Sequence, residues 1–133
     1  VIYLDTAALV KLIRVEPETA ALVAWLNDRR EHPLAASALV EVEVPRALRR
    51  SQPSALGAVA GALSRLYRIE INAAVRATAG AYVEPELRSL DAIHLATAEL
   101  LVASGQPLQA FVTYDKRLAA AAGTAGLPVA APA

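Results

Sequence analysis

A chain of 133 residues that is 56% apolar has room for one domain with a sizeable core, and no apolar run reaches the about 20 residues a membrane span needs. Its 13 basic and 13 acidic side chains cancel, which excludes a long-range field toward nucleic acid or anionic lipid, so any such binding must come from local charge. Without cysteine there are no disulfides, thiolate metal sites or thiol chemistry; the expectation is a chain with no signal segment before its first apolar run and a cytoplasmic location.

In chain order, VIYL (1–4) predicts a short strand that ends at Asp5-Thr6. Residues 6–13 then predict a helix with Thr6 as its N-cap. Pro17 suits the first position of a second helix over 17–30. Residues 33–37 predict a buried strand, and Ser37 caps a helix over 38–50 in which Pro45 predicts a kink. A helix over 53–66 leads to a strand over 67–71, and Asn72 caps a helix over 73–83. Ser89 caps a helix that is apolar nearly all round and stops at Gly105, with Pro107 just beyond. Residues 109–114 predict a strand ending at Asp115, followed by a short helix over 116–123 and a last strand over 127–131. Alternating strands and helices imply an α/β domain with a mostly parallel sheet. No repeat or linker divides the chain, so residues 1–133 are read as one domain.

The acids give this pattern its chemical content. Sites in open parallel sheets form at the carboxyl ends of the strands. Asp5 and Asp115 each close a strand, and if those strands are neighbours both acids overhang one edge. Asp91 stands in the first turn of its helix, and Glu43 lies six residues after Ser37. Taken singly, each has an ordinary explanation. Asp5 and Asp115 suit helix starts, Asp91 gains about 0.3–1 kcal/mol from the helix dipole, and a helical glutamate is commonly solvated. Glu41 is an alternative to Glu43. Taken together, four acids on two strand ends and two helices point to convergence. The residues one to three turns beyond Asp91 on its face, Leu95, Ala98 and Val102, are apolar, so that carboxylate is expected to be buried and to need a partner. Two carboxylates about 5 Å apart at an effective dielectric near 20 repel by roughly 3 kcal/mol. No lysine is placed to neutralise the cluster, whereas a divalent cation does so economically, and oxygen ligands favour Mg²⁺ or Mn²⁺. Such an ion beside an open face suits phosphodiester hydrolysis.

The segments YLDTAALVKL, SALVEVEVPRALRR, LDAIHLATA and FVTYDKRLAAAA resemble, in order and spacing, the motifs of PIN-domain proteins, most of all the VapC-type toxins of bacterial toxin–antitoxin pairs. The resemblance implies a PIN-like (Rossmann-like) three-layer α/β/α fold and a Mg²⁺- or Mn²⁺-dependent endoribonuclease that leaves 5′-phosphate and 3′-hydroxyl ends. It maps the family's four acids onto Asp5, Glu43, Asp91 and Asp115, with Thr6 and Thr113 as supporting hydroxyls. Glu43 rather than Glu41 matches the helix acid, because it stands just before the RALRR tail. A VapB-type antitoxin that sends a basic residue toward the acids is the implied partner, and a homodimer is a further expectation.

Arg46 and Arg50 fall on one helical face with Glu43, and Arg49 is close by. That stripe, with Lys11 and Arg14, is a candidate seat for RNA phosphates, though a solvated helix end explains it equally well. His94, one turn after Asp91, suits a core histidine bonded to backbone, with ligation or proton transfer as the alternative. Trp25, Leu26, Leu9, Leu12 and Ile13 suit either an apolar groove for the antitoxin or core packing. Tyr67, Tyr82 and Tyr114 are candidates for base stacking. Two rival functions are an inactive PIN fold that only holds a partner, and a phosphoryl-transfer domain using Asp5. The latter wants a second aspartate where Ala7 stands.

Overall fold

The computed structural model describes residues 1–133. Five short strands, β1 (Ile2–Leu4), β2 (Leu34–Ser37), β3 (Leu66–Ile69), β4 (Ala110–Val112) and β5 (Val129–Ala130), form one sheet in the order β3-β2-β1-β4-β5. Every pairing is parallel, with Ile2 opposite both Leu34 and Ala110. Seven helices link them: α1 (Thr6–Ile13), α2 (Thr19–Asn27), α3 (Val40–Ser51), α4 (Val59–Leu63), α5 (Ala73–Ala81), α6 (Ser89–Ala103) and α7 (Lys116–Thr124).

The two-residue period of the strands sorts the core into two layers. Ile2, Leu4, Ala110 and Val112 pack on one side with Leu9 of α1 and with Val40, Val44 and Leu48 of α3. Tyr3 and Phe111 face the other side, where they meet Leu95 and Ala98 of α6 and Leu118 and Ala122 of α7. The Tyr3 and Phe111 rings stack with centroids 5.1 Å apart. The result is the expected three-layer α/β/α arrangement. β1 and β4 are buried on both faces, which is why they read as unbroken apolar runs.

Several local expectations change in the structure. Asp5, not Thr6, caps α1: its extended backbone lets the short carboxylate accept from the Ala8 N–H. Thr6 is thereby the first helical residue, and its hydroxyl is free for other partners. Ser37 accepts from the Leu39 N–H and braces the strand–helix turn, while α3 itself starts at Val40. Ser89 is the first residue of α6 after an extended Arg88 that makes no side-chain cap. Pro17 lies in the turn before α2, where Thr19 accepts from the Glu16 N–H and donates to the Lys11 carbonyl. The expected helix over 53–66 divides into a 3₁₀ turn (Pro53–Ala58) and the short α4. Gly57 and Gly61 weaken helix formation there. α3 runs from Val40 to Ser51 with Pro45 inside it.

α6 and α7 end alike, on glycines with positive φ, Gly105 at 96° and Gly126 at 83°. In each, the glycine and the residue after it donate back to the last turn: Gly105 to Val102 and Gln106 to Leu101, Gly126 to Gly123 and Leu127 to Ala122. Open space surrounds the position a Cβ would take on Gly126. Gly126→Ala is therefore expected to destabilise only through backbone strain, by about 1–2 kcal/mol, read from the denaturant midpoint. An unchanged midpoint would show that this turn does not hold the left-handed conformation.

Candidate active site

The chain leaves β1 toward β2 on one side and returns through β4 on the other, so the strand order reverses between β1 and β4. At that switch point the flanking loops part and leave a crevice above the carboxyl ends of the strands. Asp5 follows β1 and Asp115 follows soon after β4. Each is also an N-cap. Asp5 Oδ1 accepts from the Ala8 N–H at 2.9 Å, and Asp115 Oδ1 accepts from the Leu118 N–H at 2.9 Å. The capping explanation holds, and it does not compete with a place in the cleft, because the caps fix where the carboxylates point. Asp91 lies in the first turn of α6.

These acids line a cleft of about 290 Å³ together with Glu43, Thr6, His94, Lys11 and Arg14. Asp5 is only 4% exposed. Burial raises its carboxyl pKa, the Thr113 hydroxyl and the Ala8 N–H pull it back, and Asp115 pushes it up again. Burial likewise raises Asp91, and repulsion from Asp115 and Asp5 adds to it. The three aspartates are therefore electrostatically coupled. Thr113 is buried beneath them, and its hydroxyl also accepts from the Asp115 N–H at 3.2 Å.

Glu43 is held differently. Burial raises its pKa, but hydrogen bonds from His94 and Thr6 outweigh this and leave it lowered. Both bonds end on Oε1, at 2.5 Å from Thr6 Oγ1 and 3.1 Å from His94 Nε2. Glu41, the alternative helix acid, is exposed and pairs with Arg68. His94 is 2% exposed and bonds side chains rather than backbone, because Tyr3 Oη stands 2.7 Å from its Nδ1. Tyr3 was hidden in sequence by its place in a buried strand. The available signal was its hydroxyl, which must find a partner when buried.

No three of the acid and imidazole groups stand arranged as a ready metal cage. The donor set nevertheless fits a hard divalent ion. It offers carboxylate oxygens whose mutual repulsion is relieved by added positive charge; His94 and Arg88 favour the ionised Asp91, yet no salt bridge reaches any of the three aspartates. Lys11 and Arg14, on the cleft wall, are engaged elsewhere. Lys11 Nζ lies 3.0 Å from Glu16 and 3.2 Å from Glu18, and Arg14 lies 2.9 Å from Glu16. Burial lowers the Lys11 pKa, but these two glutamates outweigh it and hold the ammonium above its usual range.

Other candidates lie apart from the acids. Arg46, Arg49 and Arg50 are exposed on α3, which lends the cleft Glu43 and Ala47. Leu9, Leu12 and Leu26 line a separate groove rimmed by Arg29, Arg30 and Arg65, while Ile13 and Trp25 pack against the core. Tyr82 bonds Glu99, Tyr114 donates to the Pro132 carbonyl, and Tyr67 is exposed on the edge strand β3. No helix is long and apolar enough to cross a membrane.

The family model described as PIN domain matches residues 2–124. Over 131 residues the chain is 56% identical to Ribonuclease VapC35 of Mycobacterium tuberculosis, covering 98% of this chain and 96% of that one. It is 46% identical to Ribonuclease VapC46 of the same organism, covering 98% and 97%. Among solved structures, a toxin–antitoxin complex from Klebsiella pneumoniae superposes with a TM-score of 0.69 at 26% identity, covering 100% of this chain and 98% of that one. FitAcB from Neisseria gonorrhoeae gives a TM-score of 0.73 at 18% identity, covering 97% and 96%, a likeness of fold.

The raised carboxyl of Asp91 has a consequence for stability. An acid whose pKa rises on folding contributes fully below its unfolded value, and that contribution is lost as pH climbs through the folded value. The helix start favours the charge by about 0.3–1 kcal/mol, but burial and Asp115 prevail. Asp91→Asn is accordingly expected to melt about 2–4 °C above the wild type near pH 7.5 in EDTA, with the gap closing near pH 3.5. A variant that melts lower at neutral pH would show that the ionised Asp91 is not under strain.

Proposed function

Since the chain belongs to the PIN-domain family and is of the VapC type, we propose that it is a Mg²⁺- or Mn²⁺-dependent endoribonuclease controlled by a VapB-type antitoxin. The observation that carries this is the gathering of Asp5, Asp91 and Asp115 with Glu43 in one cleft at the sheet's switch point. Relatives named as ribonucleases support the substrate class, and the likeness to a toxin–antitoxin complex supports the partner.

Asp5, Asp91 and Asp115 are the residues that would hold the ion, their orientation set by two helix caps and a helix first turn. Bound there, a divalent cation supplies Lewis-acid stabilisation of charge building on the phosphate oxygens. The protein's own groups do the rest. Glu43, kept ionised by Thr6 and His94, has Oε2 left to orient a water beside the scissile phosphate and take its proton. The Thr113 hydroxyl and the Ala8 N–H favour the anionic form of Asp5 and offset part of the rise that burial causes. The exposed Arg46, Arg49 and Arg50 lie beyond Glu43 on α3 and would attract the RNA backbone. An antitoxin side chain carrying positive charge would satisfy the same aspartates and shut the cleft.

The expected result is that Asp5→Asn and Asp91→Asn each lower kcat for RNA cleavage in Mn²⁺ by at least about 100-fold with circular dichroism unchanged. Asparagine at position 5 still caps α1, so loss of activity there reports on charge rather than on folding. Cleavage at the wild-type rate by either folded variant would end the proposal.

A further inference from the structure

Glu43 has neither a strand end nor a helix cap to fix it, and it has one more torsion than an aspartate. Its position depends on a chain of hydrogen bonds that reaches the centre of the sheet. The Ser37 N–H, at the end of β2, donates to Tyr3 Oη at 3.1 Å. Tyr3 is fully buried, and burial holds its hydroxyl well above the usual range, so the proton stays on the oxygen. Ser37 donates to that oxygen, and the Thr97 hydroxyl beside it gives its own proton to the Ile93 carbonyl, so the Tyr3 proton has two acceptors in reach, His94 Nδ1 at 2.7 Å and Thr97 Oγ1. Donation to His94 makes Nδ1 an acceptor and places the proton of a neutral imidazole on Nε2. Nε2 faces Glu43 Oε1 at 3.1 Å, and a carboxylate only accepts. The other tautomer would set the Nε2 lone pair against that carboxylate. Thr6 closes the arrangement, lying 3.1 Å from Nε2 and donating to the same Oε1.

We propose that Tyr3 and His94 are positioning residues of this site: the buried phenol fixes the imidazole tautomer, and the Nε2–H then holds Glu43 at the mouth of the aspartate cluster. Tyr3 does not line the cleft, so its influence on catalysis must pass through His94. Only the activity arm of the test rests on the ribonuclease reading.

Tyr3→Phe is the informative variant, because it keeps the ring stacked on Phe111 and deletes only the hydroxyl. In a His32→Gln background, which leaves His94 as the one histidine, long-range ¹H–¹⁵N spectra of the metal-free protein should show the Nε2–H tautomer. Tyr3→Phe should lose that preference. Its kcat for RNA cleavage should fall about 10- to 100-fold with KM nearly unchanged. In a His94→Ala background the same change should add no more than about a twofold loss, as expected when both act on one route. His94→Gln, whose amide can donate to Glu43, should recover part of the activity that His94→Ala loses, and this holds the activity arm should Tyr3→Phe fold poorly. An Nδ1–H tautomer in the otherwise wild-type chain overturns the proposal. So does a folded Tyr3→Phe with full kcat, or full additivity with His94→Ala. The tautomer measurement needs neither metal nor RNA, so it decides the matter even where the wild type cuts no RNA.

Discussion

The folded chain tolerates like charges pressed together. β1 and β4 are adjacent, each ends near an aspartate, and α6 adds a third from its first turn. Burial then strengthens the repulsion, because a low-dielectric surrounding screens it poorly. The raised carboxyls of Asp5 and Asp91 come first from burial, with repulsion from Asp115 adding to it. Nothing in the packing requires it, since asparagine would cap α1 nearly as well. Under the proposed function a cation would relieve that strain, and stability is lowered where the chemistry would occur.

The same residues solve a local problem and line the cleft. Asp5 and Asp115 satisfy backbone N–H groups that would otherwise be orphaned at the starts of α1 and α7. Those bonds spare the site a separate scaffold, because a capping carboxylate has little freedom. Glu43 has no such device, and its support comes from Thr6 and from a buried tyrosine–histidine pair. The divide between the two faces of β1 is what makes this work. Ile2 and Leu4 bind the sheet to α1 and α3, while Tyr3 reaches the opposite layer and His94.

Much of this was legible in the sequence because it is local. The apolar runs at 1–4 and 109–114, each closed by an acid, announce buried strands with a site beyond them. The helix LDAIHLATA advertises its burial by the lack of a polar face. Asp5 and Thr6 are both good caps in sequence, and only the strand's end point decides between them. The choice of Glu43 over Glu41 depends on which side of α3 faces the cleft, and the short run VEVEV carries acids toward both. The 53–66 segment has helical residues throughout, but its glycines and its proline start divide it. Least legible was the link between Tyr3 and His94. Those positions are 91 residues apart, and they meet only because β1 lies under α6.

The most direct test of the central claim is anomalous diffraction from crystals of the antitoxin-free protein soaked in Mn²⁺. One strong peak is expected at the switch point, with carboxylate oxygens of Asp5, Asp91 and Asp115 as its nearest protein ligands at about 2.1–2.3 Å. Saturating Mn²⁺ that leaves this cleft without a peak would contradict the view that the aspartates are gathered to hold an ion.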